Sequence, residues 1–208
     1  MTATDFTARS IPPADQRRRI NVLRGLFLAA LPLVLTGHPL WSALPAAALH
    51  VTGTILIFVA ILGRFWATLY IGGHKNDRLL QDGPYSICRH PLYLFSIIGI
   101  AGFGLALESL MLAGLFGLAG AVVLHGIAMR EERFLRARFG AAHDAYRARV
   151  PMIRPRLAGF HSAAQVQVRP HLLWRNGRDA LVFLSALPLA EAVDLAHRAG
   201  HLTLLGLW

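Results

Sequence analysis

Charged residues are missing from two long stretches of this chain, and that spacing predicts its architecture. No Asp, Glu, Lys or Arg occurs between Gly25 and Gly63, and Glu108 alone interrupts the stretch from Pro91 to Met129. A helix that crosses a bilayer needs roughly 20 apolar residues, because each residue rises about 1.5 Å through a hydrocarbon core about 30 Å thick. Each stretch approaches twice that length and therefore predicts two spans joined by a turn. In the first, Gly37-His38-Pro39-Leu40-Trp41-Ser42-Ala43-Leu44-Pro45 supplies the turn, since its prolines interrupt a helix and Trp41 suits a membrane interface. In the second, Glu108-Ser109 marks the turn, leaving Pro91 to Leu107 short for a span and Leu110 to Met129 amply long.

The predicted fold is an all-α integral membrane protein with four transmembrane helices. A further apolar run, Ala180 to Ala190, holds Pro188 and covers only about half a membrane thickness. It could serve as a fifth, short or re-entrant element, lie in the interface, or pack on the core. Four regions follow. Residues 1-21 form an N-terminal arm, and residues 22-63 a first transmembrane hairpin with a scaffolding role. Residues 64-156 form a core made of a loop from Arg64 to His90, a second hairpin and an amphipathic helix. Residues 157-208 form a tail. The amphipathic helix is read from Leu135, Phe139, Ala142 and Tyr146, whose spacing puts them on one helical face between Glu131 and Val150.

The charge balance, 21 Lys and Arg against 11 Asp and Glu, changes this picture through its distribution. Every Lys and Arg lies at or before Arg24, between Arg64 and Arg89, or from Arg130 onward. With four spans these regions share one side, the positive-inside pattern, and both termini are then cytoplasmic. Nucleic acid is not the expected partner, because stacking aromatics and a nucleic-acid motif are missing; membrane lipids are. Arg17-Arg18-Arg19 leads into the first span without a small-residue cleavage site, so that span is expected to be retained. A single cysteine, Cys88, excludes an intramolecular disulfide and reads as a small buried residue.

Chemistry-bearing residues concentrate at the ends of the second hairpin, in Gly83-Pro84-Tyr85-Ser86-Ile87-Cys88-Arg89-His90-Pro91-Leu92-Tyr93 and in Arg130-Glu131-Glu132-Arg133. A hairpin brings its own ends together, so His90 and Tyr93 should face Glu131. Pro91 suits the first helical position, and the N–H groups there favour an anion. Glu131 and Glu132 also read as carboxylates at a helix N-terminus, and of the two Glu131 is the expected ligand. His125 is a candidate buried proton acceptor. His38 and His50 have no nearby carboxylate in the sequence, and His197 and His201, four residues apart, lack a convincing ligand set, so no metal is expected.

The string GPYSICRHPLYL, followed after a hydrophobic hairpin by EERFLRARFGAAHDAYRARVPMIRP, resembles the isoprenylcysteine carboxyl methyltransferase family and related bacterial phospholipid methyltransferases. The resemblance covers roughly Asp77 to Pro155. It implies a bacterial inner-membrane enzyme that transfers a methyl group from S-adenosyl-L-methionine to a lipid-like or amphipathic small acceptor. It implies cofactor contacts from Asp77, Arg78, Leu79, Leu80, Tyr85, His90, Pro91, Leu92, Tyr93 and Glu131, with His90, Tyr93 and Glu131 nearest the chemistry. Eukaryotic prenylcysteine enzymes have an arginine for the substrate carboxylate where this chain has Ile127, and Arg130 is the candidate substitute. Membrane sterol reductases, which use NADPH, share part of the RHPxY pattern and supply the alternative reading, beside a non-catalytic membrane scaffold.

Overall fold

The computed structural model describes residues 41–71, 78–166 and 183–199, together with residues 25, 31, 32, 34, 35, 37, 38, 168, 174, 181, 205 and 206. The arm 1-21, most of the first span, Asp77 and His201 lie outside the described residues.

Helix α1 (Ala43–Ile71) begins after the proline-rich turn, with Pro45 in its first turn, where a missing N–H costs little. It does not end at Gly63, as the charge pattern predicts. Gly63-Arg64 continues helical for two further turns, so part of the expected Arg64 loop is helix. The short α2 (Pro84–Ile87) follows, then α3 (Pro91–Ala106) and α4 (Leu110–Phe139). The turn between α3 and α4 falls where Glu108-Ser109 predicts it. Glu108 takes a φ of 59°, and the Ser109 hydroxyl accepts from the Leu112 N–H at 3.0 Å, capping α4.

The amphipathic helix expected from Glu131 does not begin there. The long helix α4 runs straight through Glu131 and Glu132 to Phe139, and Gly140, at φ 52°, breaks it before α5 (Ala141–Arg149). Neither glutamate is therefore a helix N-terminal carboxylate. The break also splits the expected apolar face. His143 and Tyr146 are the buried side chains of α5, while Ala142 is exposed.

Helices α1 and α4 are long and apolar enough to cross a membrane, and their outward residues are large and hydrophobic. Val51, Ile55, Phe58 and Leu62 on α1, and Leu115, Leu118 and Val122 on α4, are all exposed. A contiguous apolar exterior of this kind suits lipid rather than water. Between helices, small residues allow close approach, as in membrane packing generally. A Cβ on Gly53 would sit 2.5 Å from the Gly102 carbonyl oxygen and closer still to the Ala106 nitrogen, so α1 and α3 meet backbone to backbone.

Described parts of the tail lie at both ends of the bundle and between them. His161 and Ser162 lie at the end that carries His90, where Gly83 N–H donates to the His161 carbonyl and the Tyr70 hydroxyl meets Ser162. Phe183 packs at mid-depth against Gly99, with the Arg64 guanidinium over its ring. Helix α6 (Ala186–Arg198) then buries Ala190 and Val193 in the core with Val34, Ile57, Phe103 and Leu112. At the opposite end Glu191 lies 3.1 Å from His50, which thus has the carboxylate neighbour its sequence surroundings lack, and His197 meets the Leu35 carbonyl. Finally Leu205–Gly206 (β2) pairs in parallel with Gly37–His38 (β1), in the turn that precedes α1.

Candidate active site

The segment Gly83 to His90 is shaped by its own turn chemistry and by a strap of chain after α5. Gly83 adopts φ 59°, and Pro84 starts α2. The strap, residues 151–161, then pairs its carbonyls and amides with this segment. Arg89 N–H donates to Pro151, His90 N–H to Met152, and Arg156 N–H to the Ile87 carbonyl, at 2.9, 3.0 and 2.9 Å. The Cys88 thiol is buried and faces the Met152 and Ile153 carbonyls, and burial pushes its pKa up to about 11. Such a thiol is structural rather than nucleophilic.

His90 caps α3, with Pro91 at the first helical position. Expected N–H donors at this helix start are partly committed, since His90 N–H binds Met152 and Tyr93 N–H turns back to the His90 carbonyl. The side chains carry the site instead. Tyr93, one turn on, stacks parallel to the His90 ring with centroids 5.4 Å apart. Its hydroxyl donates to Glu131 Oε2 at 2.8 Å, and His90 Nδ1 lies 3.7 Å from that same oxygen. The predicted meeting of His90, Tyr93 and Glu131 is thus present in the geometry.

Next to it is a buried cluster that sequence reasoning missed. Glu132 Oε1 accepts from His90 Nε2 at 2.9 Å and from Arg89 Nε at 3.0 Å, and the Arg89 and Glu132 side chains are 7% and 8% exposed. Arg89 also donates to the Arg147 and Val150 carbonyls, which fixes it to the C-terminal end of α5. Donation from Nε2 to the carboxylate sets the His90 tautomer: the proton sits on Nε2, and Nδ1 faces Glu131. Glu132 Oε2 and both ring nitrogens of the fully buried His143 have no hydrogen-bond partner among the described residues, and His143 Nε2 lies 3.7 Å from that oxygen. Burial pulls the His143 pKa down, keeping the ring neutral. Gly140 was the available signal, because a break there folds α5 back beneath Glu132.

Of the other expected residues, Tyr85, Leu80 and Leu92 join one apolar cluster with Ala67, Tyr70 and Ile71. Tyr85 is buried, its carbonyl accepts from the Tyr146 hydroxyl at 2.6 Å, and burial followed by the nearby Glu131 charge raises its pKa. Pro91 is fully buried, Leu79 half-buried and Arg78 exposed. Ile127 is half-buried on α4, one turn from Glu131, whereas Arg130 is exposed. His125 is exposed rather than buried, on an apolar outward face where a proton acceptor would be out of place.

A profile of the family described as phospholipid methyltransferase matches residues 39–142, which take in α1, the His90 segment, the α3–α4 hairpin and Glu131 and Glu132. The chain belongs to the phospholipid methyltransferase family. Two relatives match most of the chain's length. The cobalt-zinc-cadmium resistance protein CzcN of Cupriavidus metallidurans is 36% identical over 187 residues, covering 89% of this chain and 86% of that protein. The nickel-cobalt-cadmium resistance protein NccN of Alcaligenes xylosoxydans xylosoxydans is 36% identical over 184 residues, covering 88% and 86%. No solved structure matches the chain. The match of this phospholipid methyltransferase family member extends to His143's neighbour Ala142, so all but the last residue of the buried cluster falls within it.

Proposed function

We propose that this chain transfers the methyl group of S-adenosyl-L-methionine to a lipid-like or amphipathic small acceptor, a carboxylate, thiol or amine, at the cytoplasmic membrane face. The observation that carries this reading is the convergence of Tyr93, His90 and Glu131 at the end of the α3–α4 hairpin, within the stretch that matches the family. The donor set fits the cofactor's chemistry. Glu131, 23% exposed, offers a carboxylate to an amino group. The faces of Tyr93 and Tyr85 suit a sulfonium cation. The cofactor, when bound, supplies an electrophilic methyl group. The residues here bind and orient, since an in-line displacement gains most from placing the acceptor against the methyl carbon and excluding water.

The placement of α3 supports an acceptor drawn from the bilayer. Its 16 residues rise about 24 Å, less than a hydrocarbon core of about 30 Å, which sets His90 at the inner edge of the membrane. We place this end on the cytoplasmic side, because Arg78, Arg89 and the arginines from Arg130 to Arg156 belong to it. Because Glu191 and His197 lie at the opposite end of the bundle from His161, we propose that the tail makes a fifth crossing, with Leu205–Gly206 on the side away from the site. This departs from the four-span arrangement with both termini cytoplasmic.

The names of the two relatives tie those proteins to divalent-metal resistance. We carry this over as the setting in which methylation acts here, to be checked by whether wild-type protein, and not His90→Ala, restores cadmium tolerance to a strain lacking it.

The direct test is calorimetry on detergent-solubilised protein. S-adenosylmethionine or S-adenosylhomocysteine should bind wild type, and binding should be lost in His90→Ala and Glu131→Ala. Folded wild-type protein that binds neither ligand would refute the reading, and retention of NADPH in their place would favour a reductase. Incubation of membranes with radiolabelled cofactor would then identify the acceptor.

A further inference from the structure

We propose that His143 is a positioning residue of this site, acting through Glu132 to hold His90 in one tautomer and one orientation. The inference rests on reading His90 as part of a cofactor site, but its physical basis is the buried cluster itself. Glu132 has two carboxylate oxygens in a dry setting. One is doubly engaged by Arg89 and His90. The other has no hydrogen-bond donor among the described residues, and 3.7 Å away stands the Nε2 of a fully buried imidazole equally without a partner. An orphaned donor and an orphaned acceptor at this separation are a small rotation from a hydrogen bond, and leaving both unmet costs about 1–3 kcal/mol each. Helix α5 serves this placement. Gly140 redirects the chain, and Arg89 ties the end of α5 by donating to Arg147 and Val150.

When His143 donates to Oε2, three donors converge on one carboxylate and fix its plane. That plane directs His90 Nε2–H, and through it the ring stacked on Tyr93, with Nδ1 left toward Glu131 and the bound ligand. The titratable and charged groups around Glu132 are Arg89 and His90 from the segment before α3, His143, Asp144, Tyr146 and Arg147 from α5, and Glu131 beside it on α4. Deleting the His143 donor leaves Oε2 without a donor and the carboxylate free to turn about its own axis, so the direction in which Oε1 accepts from His90 is no longer fixed.

The test compares His143→Met, similar in volume but without a donor, with His143→Gln, which keeps one. Two readouts separate positioning from packing. In ¹⁵N-histidine NMR without any ligand, His90 should show a single Nε2–H tautomer in wild type and in His143→Gln, and a mixture in His143→Met. In S-adenosylhomocysteine titrations at neutral pH, His143→Met should bind about tenfold more weakly than wild type, with His143→Gln restoring the affinity. An unchanged His90 tautomer in His143→Met overturns the proposal, as does an equal loss of affinity in both variants. Should wild type bind no S-adenosylhomocysteine, the functional reading fails while the NMR comparison still decides the role of His143. His143→Leu serves the same comparison if the Met variant does not fold.

Discussion

Adjacent glutamates on α4 should respond in opposite ways to the same truncation. In Glu132→Ala, the Arg89 guanidinium, 7% exposed, loses its carboxylate, and His90 Nε2–H loses its acceptor. Breaking a buried pair from one side costs about 3–5 kcal/mol, because the surviving charge stays buried. Arg89 keeps its bonds to the Arg147 and Val150 carbonyls, which places the expected loss at the lower end, about 3 kcal/mol. For a chain of this length that lowers the thermal midpoint by roughly 6–12 °C. Glu131→Ala removes one hydrogen bond from Tyr93 to a carboxylate that is 23% exposed, and water replaces part of it. Its expected cost is about 1 kcal/mol, a few degrees at most. Ligand binding should show the reverse ranking in kind: Glu131→Ala folds well and loses S-adenosylhomocysteine, whereas Glu132→Ala is first of all a stability variant. Thermal unfolding in detergent with parallel calorimetry measures both. Equal midpoints for the two variants, or a larger drop in Glu131→Ala, would refute the division of labour drawn from the geometry.

Helix contact gives a second expectation. Gly53→Ala puts a methyl into the backbone of α3 and should lower stability by about 1–3 kcal/mol, whereas Gly114→Ala, with open space around it, should cause no loss on the same melting assay. Cys88, with its pKa pushed up to about 11, carries about one thiolate in a thousand at pH 8, so maleimide should label it only after denaturation. The pH dependence of folding follows from His143. The unfolded chain takes up a proton near the ordinary histidine value of 6.5, and the folded chain resists it. The unfolded state thus binds more protons below that value, so stability falls as pH drops through it, by at most about 1.4 kcal/mol per unit from this group. His143→Gln should flatten that slope in denaturation series between pH 7 and pH 5.

Charge-free stretches long enough to cross a bilayer were legible in the sequence because the bilayer excludes charge along a whole segment, a constraint that composition alone records. The α3–α4 turn at Glu108-Ser109 and the meeting of His90, Tyr93 and Glu131 follow from the same one-dimensional logic, since a hairpin must bring its own ends together. Helix ends were less legible. Arg64 looked like the start of a loop, yet α1 continues past it, because a guanidinium can be held by the Ser96 hydroxyl at 2.6 Å on the neighbouring helix. Glu131 and Glu132 looked like the start of an amphipathic helix, yet they sit in the interior of α4, and only Gly140 ends it.

What the chain determined by itself, then, is its membrane character, its hairpin and the residues at the hairpin's mouth. Tertiary structure decided which of two neighbouring carboxylates is buried, since successive helical residues point about 100° apart and only packing says which direction is inward. It brought His143 beneath Glu132, a contact that depends on the bend at Gly140. It also packed Ala190 and Val193 against Ile57 and Phe103 and paired Leu205–Gly206 with Gly37–His38. A run of eleven apolar residues with a proline says nothing about that placement, because the surface it covers is built by helices far earlier in the chain.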